Sequence, residues 1–269
     1  MATIPTDIDS EIIEAALRTR IIGRPLEVVA EIGSTNDTVM EAGQAGEPEG
    51  FAILADRQTA GRGRRGRSWV SAAGVGLYTS VLLRPQQLPA RIPLLTLVGG
   101  LAVAEAVEHI ALVAPRLKWP NDVLVEGRKV AGILAEMAST DGKVGPVVIG
   151  MGINVNHRPQ DFPAELLPTA TSLFLVTGKT LPRGQLAAAL FNALDRWYQA
   201  FREGDDEAIL TAGRQRSAIL GRRVTVYADE ECWQGIATDL DDDGALVVRE
   251  EGGAIRRVIA GHVSIRTPG

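Results

Sequence analysis

The segment GRGRRGRSW, residues 61–69, combines two residue types that are well suited to holding an anion. Glycines stand at positions 61, 63 and 66, and arginines at positions 62, 64, 65 and 67. Glycine allows the backbone to approach a ligand closely, and a guanidinium group binds phosphate or carboxylate oxygens through two parallel hydrogen bonds. The segment therefore predicts a loop that wraps around an anionic ligand, with a solvated basic loop or a nucleic-acid tether as the alternatives.

The same glycines satisfy the pattern GxGxxG, but a dinucleotide-binding interpretation fails. That fold needs a helix that begins inside the motif and an acidic residue about 20 positions later. Here the chain continues into SWVSAAGVGLY, which has no helical pattern, and the later position falls in SVLLRP. A nucleic-acid tether is disfavoured because Trp69 is the only aromatic residue in the segment and the protein is acidic overall.

A second chemical cluster is KWPND, residues 118–122, which is followed by Lys129 at the start of an apolar strand. A carboxylate beside a lysine can hold Mg²⁺ on a triphosphate while the ammonium group meets the phosphate charge. An ion pair at the entrance of a strand is the alternative for this cluster. Lys129 is predicted either to protect a strand edge or to bind an anion.

The composition excludes several classes of protein. The 269 residues are 45% hydrophobic and 23% charged, which suffices for a sizeable core and excludes a disordered or fibrous chain. With 28 Lys and Arg against 33 Asp and Glu, a net charge of −5 attracts the whole molecule to neither nucleic acid nor an anionic membrane. The single cysteine, Cys232, excludes an internal disulfide and is expected to be a half-buried apolar residue.

Several sites and targeting signals are also missing from the sequence. The three histidines are scattered, with neither a GxSxG elbow nor an HExxH pair, which argues against a serine hydrolase or a zinc protease. The N-terminal residues lack the pattern of a signal peptide. Glu105, Glu108 and His109 interrupt the apolar stretch 92–115, so no membrane span is predicted and a cytoplasmic location is expected.

The elements that must position these residues form one large α/β domain followed by a small β domain. Helices are expected over residues 10–20, 94–111 and 185–202, where apolar residues recur at helical spacing, and Ser34 is expected to cap a further helix. Short apolar segments predict strands at LEVVAEI, FAILAD, GLYTSVLL, KVAGILAEM and GPVVIGMGINVN. The last fifty residues contain five short strand patterns separated by turns such as Asp243-Gly244, typical of an antiparallel barrel or sandwich. The boundary is placed near Ile219, which divides the chain into residues 1–218 and 219–269.

Taken in order, the segments resemble the biotin protein ligases across most of the first 220 residues. The resemblance is carried by GSTND (33–37), DRQTAGRGRRGRSW (56–69), LKWPNDVLV (117–125), GRKVAGIL (127–134) and GMGINVN (150–156). The Gly and Arg string and the fixed gap between KWPND and KVAGIL are highly specific together. The resemblance implies a mixed sheet flanked by helices, as in class II aminoacyl-tRNA synthetases and biotin ligases, followed by a small C-terminal SH3-like β-barrel.

The resemblance also implies an activity. Biotin protein ligases join biotin to ATP with release of pyrophosphate, hold biotinyl-5′-AMP, and transfer biotin to one lysine of a biotin carboxyl carrier domain of acetyl-CoA carboxylase or a related carboxylase. ATP and biotin are therefore the expected substrates and Mg²⁺ the expected metal ion. The chain resembles the short form of the family, without the N-terminal DNA-binding domain of the repressor members. Specific DNA binding and membrane association are not expected, and a homodimer is compatible with the prediction.

Matching positions in the family suggest a role for individual residues. Arg64, Lys129 and Asp122 are the expected catalytic residues, with Asp122 also the expected magnesium ligand and a candidate acceptor for the proton of the incoming lysine. The expected biotin contacts are Ser34, Thr35, Asn36, Gln58, Arg62, Gly63, Arg64 and Lys129. The expected ATP contacts are Arg62, Arg64, Arg65, Trp69, Lys118, Asn121 and Asn154.

Two other functions stay open on the sequence. A lipoate or octanoate ligase or transferase shares the catalytic fold, although its sequences resemble each other through a Gly-rich stretch followed by a histidine, and no histidine lies near GRGRRGRSW. A nucleic-acid-binding module is the second alternative, with the Arg loop and the C-terminal barrel as its binding surface.

Overall fold

The computed structural model describes residues 6–86, 91–140, 143–228, 231–259 and 262–265. Its strands form a seven-stranded sheet in the first part of the chain and a five-stranded sheet after residue 222. The helices belong to the first part, where they flank the larger sheet. The mixed α/β class with a C-terminal antiparallel sheet is thus confirmed, while the SH3-like barrel form and the boundary at residue 219 stay predictions.

The larger sheet is mixed because one of its neighbouring pairs is parallel. Its strand order is β1-β2-β3-β7-β6-β5-β4, with β1 parallel to β2 and the other neighbours antiparallel. All eight residues of β3 are buried, as expected for a strand covered on both faces. The strands are β1 (Leu26–Ile32), β2 (Ala52–Gln58), β3 (Gly76–Leu83), β4 (Arg116–Lys118), β5 (Asp122–Val125), β6 (Arg128–Thr140) and β7 (Lys143–Asn154).

Helices cover both faces of this sheet. In the described residues they are α1 (Ser10–Ala16), α2 (Thr35–Ala45), α3 (Ile92–Ala111), α4 (Leu173–Thr177), α5 (Arg183–Glu203) and α6 (Asp206–Arg216). On one face, Val39 of α2 packs with Ile53, Leu82 and Val148 of three neighbouring strands. On the other face α3 and α5 pack against each other, and α3 also contacts β6 and β7. The alternate residues of each strand therefore serve two different cores.

Helix α3 is long and apolar enough to cross a membrane by length and composition alone. The window Pro93–Ala111 has a mean hydropathy of 1.5, but 67% of it is buried inside the protein. Because the helix packs against α5 and the sheet, it is the central core helix of the larger unit.

The first helix ends earlier than the predicted residue 20. Leu17 already has extended backbone, with φ −73° and ψ 128°. The next backbone N–H groups donate to side chains of α5: Arg18 to Asn192 Oδ1 at 2.7 Å, and Ile21 and Ile22 to Asp195 Oδ1 at 2.9 and 3.0 Å. These tertiary bonds replace those that further helical turns would make. Neither these bonds nor the short helices α4 and α6 were predicted from the sequence.

The smaller sheet is antiparallel throughout, with the order β11-β10-β9-β8-β12. Its strands are β8 (Arg223–Ala228), β9 (Glu231–Leu240), β10 (Leu246–Glu250), β11 (Ile255–Val258) and β12 (His262–Ile265). The five predicted strand segments are confirmed. Cys232 is exposed on β9, so the expectation of a half-buried cysteine is wrong.

A buried arginine connects the start of α5 with the end of β2. The side chain of Arg183 is 1% exposed and forms ion pairs with Asp56 and Asp7, both at 2.6 Å. The pKa of the Asp7 carboxyl is lowered, mainly by its hydrogen bonds with this guanidinium group. Asp56 also accepts the N–H of Gly74 at 3.0 Å. Since residues 56 and 74 flank the Gly and Arg segment, this ion-pair cluster holds both ends of the segment together.

Candidate active site

A cavity of about 870 Å³ lies where β1 and β2 end and is walled by β6 and β7. Arg222 and Ser264 of the C-terminal part also line it, so both parts of the chain contribute to its surface. Every site residue predicted from the sequence lines this cavity: Ser34, Thr35, Asn36, Gln58, Arg62, Gly63, Arg64, Arg65, Trp69, Lys118, Asn121, Asp122, Lys129 and Asn154. Segments as far apart as residues 34 and 154 thus meet at one site.

The Gly and Arg segment folds over the cavity as a compact loop. The backbone N–H of Trp69 donates to Gly61 O at 2.8 Å, and that of Gly63 donates to Arg67 O at 2.7 Å. Between these bonds the chain makes one 3₁₀ turn at Arg64–Gly66, with φ of 58° at Arg65 and 71° at Gly66. A left-handed backbone costs glycine little but strains arginine. The turn directs the four cationic side chains of the segment, 62, 64, 65 and 67, to the cavity lining.

Arg62 holds the loop against two other elements. Its Nη2 lies 2.5 Å from Asp37 Oδ1 on α2 and 2.7 Å from Glu136 Oε2 on β6. These contacts cross the cavity mouth from the loop to the sheet. Because the Arg62 side chain is 42% exposed, each ion pair is worth little by itself, and a ligand that competes for the guanidinium group can replace them.

A lysine and a carboxylate form the charged centre of the cavity. Lys129 Nζ lies 2.5 Å from Asp122 Oδ1, and Arg64 Nη1 approaches Asn121 Oδ1 at 3.5 Å. Lys129 is in β6, where its backbone pairs with Leu124 of β5 on one side and with Ala170 on the other. It therefore does not protect a strand edge, and that alternative is wrong.

Burial and like charges lower the pKa of two cationic groups at the cavity, Arg64 and Lys118. The pKa of Arg64 is lowered, first by burial and then by the neighbouring positive charge of Arg65. The pKa of Lys118 is also lowered, mainly by burial, although Asp122 opposes the shift. A concentration of partly buried positive charge favours the binding of an anion, so the cavity is suited to anionic ligands.

Uncharged polar side chains form the end of the cavity nearest α2. Ser34 caps this helix, with its Oγ accepting the N–H of Asp37 at 3.4 Å, as predicted. Gln58 Oε1 accepts from Thr35 N and Oγ1 at 2.8 and 3.0 Å, and Gln58 Nε2 donates to Ser71 Oγ at 3.0 Å. These groups are suited to a neutral ligand that offers both donors and acceptors.

Trp69 lies flat on two strands whose glycines leave room for it. A Cβ at Gly152 would lie 2.6 Å from the indole, and one at Gly132 would lie 3.0 Å from it. Lys129 Nζ lies 5.1 Å from the centre of the ring, within range of a cation–π interaction. The indole therefore forms a wall of the cavity beside its charged centre.

Buried polar and aromatic groups form another part of the wall. Asn154 Nδ2 donates to Thr171 O at 3.0 Å, and His157 Nε2 lies 3.2 Å from the hydroxyl of Tyr78. His157 also stacks on Phe162, with 5.1 Å between ring centres. Burial lowers the pKa of His157 to about 4, so this ring is neutral at pH 7.

Several residues at this site were not predicted from the sequence. The strand GLYTSVLL predicts burial, and a polar Ser80 within it is the signal that could have indicated a contact with the site. Glu136 in the apolar strand KVAGILAEM offers the same signal. Arg222 and Ser264 had no signal, because only the packing of the C-terminal sheet brings them to the cavity.

Comparisons with known proteins give matches to both parts of the chain. The sequence profile of the Biotin/lipoate A/B protein ligase family matches residues 28–154, and that of the Biotin protein ligase C terminal domain matches residues 219–266. The biotin–acetyl-CoA-carboxylase ligase of Mycobacterium tuberculosis is 38% identical over 93% of this chain and 94% of its own. The Bifunctional ligase/repressor BirA of Bacillus subtilis is 32% identical over 97% of this chain and 80% of its own. The biotin protein ligase of Aquifex aeolicus, solved with biotin and ATP, superposes with a TM-score of 0.79 at 33% identity, covering 90% of this chain and 99% of that one.

Proposed function

Since the chain belongs to the biotin protein ligases, within the Biotin/lipoate A/B protein ligase family, we infer that it activates biotin as biotinyl-5′-AMP and transfers it to a lysine of a biotin carboxyl carrier domain. The observation that carries this function is that the cationic loop, Lys129 and the uncharged polar cluster line one cavity. Such a cavity can hold a neutral ring at one end and two reacting anions beside it.

The first step joins two anions, which is the electrostatic problem the site must solve. A carboxylate oxygen of biotin forms a bond to the α-phosphorus of ATP, and the bond to pyrophosphate breaks. Repulsion between two such charges is about 1 kcal/mol in water and about 4 kcal/mol near a protein surface. Lys129 and Arg64 supply positive charge at the reacting oxygens, and Arg62 and Gly63 belong to the loop that encloses biotin.

The remaining contacts divide between the two substrates. Ser34, Thr35, Asn36 and Gln58 hold the ureido ring of biotin through their neutral donors and acceptors. Arg65, Trp69, Lys118, Asn121 and Asn154 bind ATP together with Arg62 and Arg64. Alignment of the two reactants supplies more than any single charge, because good positioning is worth roughly 7 to 11 kcal/mol.

Asp122 is the residue that fits Mg²⁺. The described residues contain no group of three or more His, Cys, Asp or Glu side chains placed to hold a metal ion. Magnesium is usually held by one or two carboxylates together with substrate phosphates, and Asp122 provides such a carboxylate at the cavity. When bound there with ATP, the ion neutralises phosphate charge.

We predict that residues 61–68 become more ordered around the adenylate. A mixed anhydride must be kept from water, and a glycine-rich loop can close over it. The ion pairs of Arg62 with Asp37 and Glu136 are partly exposed, so they can exchange for ligand contacts. Hydrogen exchange of the loop amides should slow when biotin and ATP are both added. Equal protection with and without the substrates contradicts this prediction.

We predict that Asp122→Asn slows the second step. There the lysine nitrogen forms a bond to the carboxyl carbon of biotin, AMP leaves, and the nitrogen gives up a proton. A free lysine is protonated at neutral pH, with a pKa of about 10.4, so a carboxylate that accepts the proton assists the reaction. Transfer from preformed biotinyl-5′-AMP to a carrier domain measures this step alone. An unchanged transfer rate removes Asp122 from the role.

Two assays test the function against its alternatives. Incubation with ATP, biotin and a purified carrier domain should add one biotinyl group, read by intact mass. Pyrophosphate exchange with biotin, lipoate and octanoate offered separately should proceed with biotin. Exchange with lipoate or octanoate in place of biotin would assign the chain to the lipoate or octanoate ligases.

The carrier domain is the macromolecular partner. The same proposal covers three further properties, namely the cellular location, DNA binding and the oligomeric state. The enzyme acts in the cytoplasm, does not bind DNA specifically, and is compatible with a homodimer. Filter binding at two salt concentrations tests the second point, because phosphate-driven affinity falls steeply with salt. Sedimentation with and without biotin and ATP tests the third. The division into a catalytic part, 1–218, and a C-terminal part, 219–269, is proposed on the same basis.

A further inference from the structure

A continuous chain of hydrogen bonds runs behind the uncharged polar cluster. Ser80 Oγ lies 2.7 Å from Thr35 Oγ1 and 2.6 Å from Asn36 Oδ1. Asn36 Nδ2 donates to Glu136 Oε2 at 2.7 Å and to Leu134 O at 3.3 Å. The same Glu136 oxygen accepts from Arg62. These hydrogen bonds thus connect the first turn of α2 with β3, β6 and the Gly and Arg loop.

Chemistry determines the direction of each bond in this chain. A carboxylate and a backbone carbonyl only accept hydrogen bonds, so the amide of Asn36 must turn its NH₂ group towards Glu136 and Leu134. Its Oδ1 therefore faces Ser80, and the single hydroxyl proton of Ser80 must go to that oxygen. Ser80 then accepts from Thr35, whose hydroxyl proton is shared between Ser80 and Gln58. A flipped Asn36 amide would place an oxygen against two acceptors.

Among the described residues, both protons of this amide are engaged and its Oδ1 accepts one hydrogen bond, from Ser80, so the second lone pair of the oxygen can accept from a ligand. Asn36 lines the cavity, whereas Ser80 is 0% exposed and contacts it through Asn36 and Thr35. A ligand that meets Asn36 Oδ1 must bring an N–H or O–H group. A cyclic urea does so, but a dithiolane or an unsubstituted acyl chain has no such group.

We propose that Ser80 and Glu136 are positioning residues that orient the Asn36 amide, and thereby select a ureido N–H over ligands without one. The inference rests on the proposed biotin activation and adds two residues to which no role in it has been given. Loss of either residue frees the amide to rotate, so the site keeps its shape but loses its preference for an N–H donor.

The test compares biotin with two analogues, each methylated on a different ureido nitrogen, in pyrophosphate exchange. In the unsubstituted protein, the analogue whose methyl group meets Asn36 should be strongly disfavoured. In Ser80→Ala, the ratio of kcat/KM for biotin over that analogue should fall by about tenfold, the usual size of one hydrogen bond that is lost from a buried site. The ratio for the other analogue should stay unchanged, and the loss for biotin should appear mainly in KM.

Two further variants separate positioning from stability. Thr177→Val removes a partly buried hydroxyl of α4 that donates to the backbone oxygen of Leu173 and is not part of the cavity lining, so it should leave both ratios unchanged. Glu136→Ala should lower the same ratio, because the loss of its ion pair with Arg62 affects biotin and both analogues alike and cancels in the ratio. It serves as the test if Ser80→Ala does not fold. Equal losses for biotin and both analogues overturn the inference. Absence of any biotin-dependent exchange in the unsubstituted protein overturns the proposed function instead.

Discussion

Lys129→Ala is expected to lower kcat/KM for biotin-dependent pyrophosphate exchange by about 100- to 1,000-fold, the usual effect of removing one preorganised charge-stabilising group. The lysine lies among the cationic residues of the cavity, 2.5 Å from Asp122. Without it, two negatively charged reactants meet beside an unpaired carboxylate. The loss should appear in kcat, because the charge matters most where the carboxylate and phosphate react.

Two control variants make this result specific to the site. Lys179→Ala removes an equal charge from an exposed bend and should leave exchange unchanged. Lys129→Arg keeps the positive charge but replaces a compact ammonium group with a planar guanidinium group. This variant should therefore be more active than Lys129→Ala and less active than the unsubstituted protein. Full exchange activity in Lys129→Ala would remove this residue from the mechanism.

Gly150→Ala is expected to reduce kcat/KM for biotin by about 100-fold, with a raised KM, which is the cost of misplacing a reactant by about 1 Å. Gly150 lies in β7, opposite Ser80 of β3 and Leu134 of β6. A Cβ at this position would lie 2.0 Å from Asn36 Oδ1, far inside contact distance. The amide of Asn36 must therefore move, and the whole hydrogen-bond chain around it must rearrange.

The measurement is the KM for biotin, taken together with the melting temperature. Gly252→Ala is the matched control, because its Cβ would have no neighbour within 4 Å. If Gly150→Ala keeps the KM of the unsubstituted protein, Asn36 is not where biotin is recognised. A fall in melting temperature with an unchanged KM would lead to the same conclusion, since the lower melting temperature reports packing strain alone.

Much of the site is evident in the sequence because local segments carry its chemistry. The Gly and Arg residues of 61–67 predict a cationic loop by their types alone, and KWPND with Lys129 predicts a charged centre. The fold class follows from strand and helix patterns that the structure confirms. Each of these inferences depends on residues that are separated in the sequence by about one helix or strand. Over such short separations, periodicity and turn chemistry are reliable guides.

Other features depend on contacts between distant parts of the chain. Helix α1 stops early because Asn192 and Asp195 bind the backbone that follows it, about 175 positions away. Glu136 meets Asn36 across 100 positions, and Ser80 meets it across 44. No local pattern distinguishes these side chains from other polar residues in apolar strands.

The sequence by itself determined which residues carry charge and which segments contribute them to the site, since side-chain chemistry is a property of each residue. Only the tertiary structure decided that Lys129 is paired on both sides rather than at a strand edge, that Arg222 reaches the cavity, and that Ser80 contacts Asn36. The physical reason is that hydrogen bonds and ion pairs need their partners within about 3 Å, and strand register and sheet order set such distances between residues far apart in the chain.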